Sequence, residues 1–203
     1  MLKKLIRYTW ILLLISILAT SCARGPKVKP QPKPEKKPAL PPVPSGFVMK
    51  SYQRAMSQEM RKSYQLADEI IIGVFSGTSH GQKDGLIYYF NDFSKFNKEM
   101  LSWEPLQNVI LQVRADKVKP EIIKRNEFST LIDLDKIGIC WDWYQGSRSI
   151  YLVEGKENLI FLEFGFDEAS SQSYWNLLDA YPVTKECRAK DVFNLMIRDL
   201  YSK

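Results

Sequence analysis

The chain holds a single histidine, no long apolar run and, over its first 46 residues, a single acid, Glu35. His80 lies among Gly77, Thr78, Ser79 and Gly81 with no cysteine or second histidine near it in sequence, so no metal-ligand spacing is present. Any Ser-His-Asp relay would have to use that same His80 as its base, and no phosphate loop of the P-loop type occurs. Neither an enzymatic activity nor a cofactor is expected. A hydrolase would need two carboxylates facing each other across a cleft, which sequence spacing alone does not identify. The longest apolar run falls short of the roughly 20 residues a spanning helix takes.

What the first residues do contain is ordered. Lys3, Lys4 and Arg7 precede the run Trp10–Leu18, broken only by Ser16, and small residues lead on to Cys22. A basic start, a short apolar core and small residues make an export signal. The stretch Leu18-Ala19-Thr20-Ser21-Cys22 resembles the lipobox of bacterial lipoproteins. Thr20 and Ser21 are its small residues, Ala19 stands where the family usually has leucine, and Leu18 lies one place further back. The resemblance covers residues 1–22. It implies cleavage before Cys22, diacylglycerol on the Cys22 thiol and acylation of the new amine. Several acyl chains anchor stably where one is marginal. Ala23 rather than Asp follows the cysteine, which implies a lipid-anchored protein of the cell envelope, at the outer membrane and facing the periplasm. An ordinary secretory signal with an incidental cysteine remains open. So does an uncleaved anchor lengthened by Leu2, Leu5, Ile6 and Tyr8.

Residues 23–46 hold eight of the eleven prolines, with Arg24, Lys27, Lys29, Lys33, Lys36 and Lys37 against Glu35 alone. Proline removes backbone donors and fixes φ, and little here is apolar, so the segment reads as an extended tether. At ~3.1 Å per residue it reaches roughly 70 Å. The formal charge of +6 belongs to the signal and the tether, since residues 47–203 carry a net −2. That balance removes the electrostatic basis for nucleic-acid binding by the remaining domain. The expected organisation is a signal peptide at 1–21, lipidated Cys22 with its tether to 46, and one domain over 47–203.

Within that domain Val48, Tyr52, Ala55, Met56, Met60 and Tyr64 recur at helical spacing after Ser45, a candidate cap. Strands are predicted over Glu69–Phe75 and Gly85–Phe93, joined as a hairpin, and over Asn108–Arg114. Ile137–Tyr144, Ser149–Val153 and Leu159–Phe166 have the spacing of an antiparallel meander. Residues 120–134 are ambiguous between a short helix and a turn. Helices are predicted over Ala169–Tyr181, from Tyr174, Leu177 and Leu178 before Pro182, and over Ala189–Tyr201, from Val192, Phe193, Met196, Ile197 and Leu200. These elements make an α+β fold: a bent antiparallel sheet or small OB-like β-barrel of five to six strands with flanking N- and C-terminal helices.

With Cys22 lipidated, Cys140 and Cys187 remain, and an oxidising compartment permits a bridge. It would close a loop of 46 residues and contribute ~3–4 kcal/mol. The alternative is two separate buried thiols. The aromatic residues carry the remaining binding content. Trp141 and Trp143 share one strand face, and with Tyr151 they would line a groove able to stack on a sugar ring or a partner protein. Filling of the core by one aromatic row competes with that reading. The expected partners are the membrane, through Cys22, and an envelope protein or cell-wall glycan. The alternatives to a binding or structural component of the envelope are a small carbohydrate- or lipid-binding module using this aromatic sheet face and, behind it, a hydrolase.

Overall fold

The computed structural model describes residues 37–202 except 82–84, 107–108 and 129–149. Cys22, Cys140, Trp141, Trp143, the signal, the tether up to residue 36 and the strand expected over Ile137–Tyr144 lie outside the described residues. The chain divides at Lys37 into two units, and the second, from Pro38, carries the fold.

Helix α1 (Ser51–Leu66) leads into β1 (Glu69–His80), β2 (Leu86–Asn97), β3 (Ser102–Leu106), β4 (Leu111–Arg114), β5 (Glu121–Ile123), β6 (Tyr151–Val153), β7 (Glu157–Asp167) and β8 (Gln172–Pro182), and α2 (Ala189–Tyr201) closes the chain. The main sheet runs β1-β7-β8-β4-β2-β3, and β1 also pairs with β2, so five strands close into a barrel with β3 added at the rim. β4 and β8 pair in parallel through Val113 with Trp175 and Arg114 with Asn176. The other pairs of this sheet are antiparallel. This is a small OB-like barrel with flanking helices. β3 and β4 occupy successive stretches of one edge of β2.

The run Ile70-Ile71-Ile72 is apolar without alternation because both of its faces are covered. Ile71 joins Phe75, Tyr88, Phe90, Val113, Ile160, Leu177 and Ala180 in the lumen. Ile70 and Ile72 join Leu159, Phe161 and Tyr181 on the outer wall, where Met56, Met60 and Tyr64 of α1 and Val192, Phe193, Met196 and Ile197 of α2 pack on them. The last helix thus spans the residues its periodicity predicts.

Three expectations need correction. The stretch 169–181 is largely strand. Leu162 pairs with Leu177 and Phe161 with Asp179, so Leu178 is an extra residue in a bulge. The bulge shifts alternation by one, and Leu177 and Ala180 face the lumen while Tyr181 faces the helices. That shift leaves three- and four-residue spacings in the sequence of a strand. β6 does not join a meander among the described residues, since it pairs in parallel with β5. The first helix starts at Ser51, not near Phe47. Ser45 and Gly46 form a turn, Gly46 has φ +75°, and Val48 is 76 % exposed. The cap falls to Gln53, whose Oε1 accepts the Lys50 amide at 3.0 Å. Residues 120–134, ambiguous in sequence, contain β5 and a helical turn at 125–128 in their described part.

Candidate binding surface

Of the residues expected to bind, to bridge or to carry lipid, Tyr151 and Cys187 are described, and they belong to different parts of the fold. Tyr151 opens β6 and packs on Ile123, Phe128 and Val153 of a small satellite cluster. It belongs to the β5–β6 ribbon, not to the barrel wall. Cys187 is buried in the loop before α2, its amide donating to Thr184 Oγ1 at 3.2 Å and its carbonyl accepting from Gln53 Nε2 at 3.4 Å.

Gly77-Thr78-Ser79-His80-Gly81 has the letters of the Gly-x-Ser-x-Gly nucleophile elbow. That chemistry needs a strand-to-helix turn that strains the serine into the open. Here Ser79 lies within β1, paired with Ile87 across a hairpin, and its Oγ is hydrogen-bonded to Tyr89 Oη at 2.8 Å. His80 is the next strand residue, so its side chain leaves from the opposite face. Among the described residues no group of histidine, cysteine and carboxylate side chains is placed to hold a metal.

The aromatic alternation resolves into lumen and wall. Tyr88 and Phe90 are buried against Phe75, and Tyr89 faces outward. On the outer wall, Tyr174 lies over Gly165, where a Cβ would stand 2.5 Å from its ring. The Arg114 guanidinium covers that tyrosine at 4.3 Å and approaches Asp167 at 4.0 Å. The Tyr174 ring is thus packed against the β7 backbone at Gly165 and against the Arg114 guanidinium.

The lumen face behaves differently where the β7–β8 hairpin outruns its neighbour. Pairing of β1 with β7 begins at Glu69 opposite Leu162. Phe164 and Phe166 lie two and four residues further along β7, on the same face as Leu162. The Phe164 amide donates to Asp68 Oδ2 at 2.8 Å, which fixes the hairpin at the point where it leaves β1. Across the sheet, Phe164 pairs with Trp175, Trp175 with Val113, and Val113 with Tyr88. The apolar lining of the barrel therefore continues onto the hairpin. There Phe164 and Phe166 are 53 % and 56 % exposed, and the Phe164 ring meets the half-buried Trp175 edge-to-face at 5.5 Å. Beside them Lys117 is paired with Glu163.

This surface lies inside the predicted strand Leu159–Phe166. Its exposure depends on where β1 begins, which no local pattern reports. A separate depression of about 530 Å³ at the start of α2 is lined by Val183, Thr184, Lys185, Arg188, Lys190 and Asp191. Its Arg188 is already bonded to Asp191 at 2.8 Å and stacked on Phe47 at 4.5 Å.

No protein-family model matches the chain, and no curated protein matches it.

Proposed function

We propose that this chain is a lipid-anchored exported protein of the bacterial cell envelope, held at the outer membrane through Cys22. Its barrel acts as a binding module that meets its partner through Phe164 and Phe166. The observation that carries this reading is the pair of exposed phenylalanines continuing an otherwise closed lumen face. Contiguous exposed apolar surface is where soluble domains meet partners, and these two rings extend the Trp175 edge of the lumen lining. The lipobox-like start and the basic, proline-rich segment support the anchoring half. The two exposed phenylalanine rings present no hydrogen-bonding group of their own. This favours an apolar patch on an envelope protein over a glycan.

The test has two independent readouts in the native host. Intact mass of the membrane-extracted protein should match residues 22–203 plus acyl chains, and Cys22→Ser should abolish that species. A photoreactive phenylalanine analogue at position 166 should give a discrete protein adduct in intact cells. A competing Phe164→Ser change should weaken it, and the same probe at exposed Lys190 should give none. Equal labelling at both positions would remove the hairpin from the proposal. A mass without lipid would remove the anchor.

A further inference from the structure

Leu40–Pro44 lies along α2 although it belongs to the proline-rich segment. Leu40 packs against the outer-wall cluster and Pro41 is buried. Three prolines in five residues fix φ and push the residues before them away from helix, so the strap is extended. Such a segment has no hydrogen-bond ladder of its own: the Pro44 carbonyl accepts the Phe47 amide at 3.2 Å, and a receptor has to supply donors for the others. α2 supplies them at four-residue spacing on one face. Asn194 Nδ2 donates to the Pro42 carbonyl at 2.9 Å, and Arg198 Nη1 donates to the Pro41 carbonyl at 3.4 Å.

The amide of Asn194 is only 4 % exposed and is oriented from behind. Trp103 Nε1 donates to its Oδ1 at 3.3 Å, leaving the NH2 end to face the strap. Trp103 is itself wedged between Phe96 at 5.1 Å and Phe193 at 5.5 Å. Several domains that recognise proline-rich peptides use aromatic-lined grooves; here Trp103 stands behind the Asn194 donor and Leu40 takes the apolar seat.

We propose that the face of α2 bearing Asn194 and Arg198, with Trp103 beside it, is a binding site for an extended proline-rich peptide. Leu40–Pro44 is its resident ligand, held in cis. The site stands apart from the hairpin surface and does not depend on the envelope reading. Its specificity follows from the contacts: an apolar residue followed by two prolines whose carbonyls point to the helix.

Ser45 and Gly46 are exposed and form the turn beyond the strap, so a protease site placed there cuts the folded full chain without touching the groove. After cutting, the N-terminal segment should co-elute with the barrel on gel filtration at micromolar concentration. Excess synthetic peptide of residues 37–45 should displace it, and the same peptide with Pro41 and Pro42 replaced by alanine should not. Asn194→Ala should weaken retention roughly tenfold, the scale of one buried hydrogen bond and its orphaned partner. Arg198→Met, at an exposed side chain, should weaken it less and keeps the test valid if the asparagine variant folds poorly. Immediate loss of the segment after cutting overturns the proposal, as does equal displacement by the alanine peptide. Retention only in a species of twice the mass overturns the assignment in cis.

Discussion

Asp179 ties α1 to the barrel through one carboxylate. Its Oδ2 accepts from Ser63 Oγ at 2.7 Å and from Tyr181 Oη at 2.5 Å, and its Oδ1 accepts the Ala180 amide at 2.9 Å. Burial raises its pKa, and Glu59 adds to the rise, while the three hydrogen bonds oppose it without cancelling it. A carboxyl raised in the folded state contributes stability that is complete below its unfolded pKa and lost as pH rises through the folded value. Asp179→Asn should therefore gain most over the parent protein near neutral pH, and the gain should shrink as pH falls toward 4. Urea midpoints at several pH values read this, and a constant difference would refute it. Gly73 is a second single-residue constraint. A Cβ there would stand 2.9 Å from the Phe93 Cβ, an atom fixed to the backbone of β2. Gly73→Ala should cost about 1–3 kcal/mol by overpacking, seen as a lower urea midpoint at unchanged slope.

Among elements, α2 has the widest influence on packing. Phe193 touches Tyr64, Phe96, Trp103 and Phe161 at centroid distances of 5.0–6.2 Å. Phe193→Ala should cost about 3–5 kcal/mol and should speed amide exchange in both helices more than in the β1–β2 hairpin. The helix is legible in sequence because its stripe is uninterrupted and both of its ends are free of glycine and proline. β8 is not, because the extra residue Leu178 breaks a two-residue period into something that counts like a helix. β3 goes unread for a different reason: Ser102–Leu106 includes Pro105 and only five residues, and it exists because β2 offers an edge. The hairpin surface is half legible. Its phenylalanines alternate visibly, but their exposure is set by the late start of β1. A similar limit applies to Lys98. Its ammonium caps the end of α1 by donating to the carbonyls of Tyr64 and Ala67, a contact 31 to 34 residues apart in sequence.

The whole molecule divides by composition and by packing, but not at the same residue. Proline content places the boundary at 46, whereas packing begins at Leu40. A chain starting at residue 47 should therefore melt below one starting at residue 37. The deficit should reflect the lost Pro42 and Pro41 contacts and the Asn194 Nδ2 that no longer donates to Pro42. Equal melting temperatures would mean that the strap contributes nothing to the fold.

The direction of the strap has a mechanical consequence. Pro41 meets Arg198 and Pro42 meets Asn194, so the strap runs antiparallel to α2. A pull on Leu40 along the helix axis would load both carbonyl contacts and the Leu40 seat together, in shear. Force entering from that end would be borne by the strap and the last helix together, before it could reach the barrel.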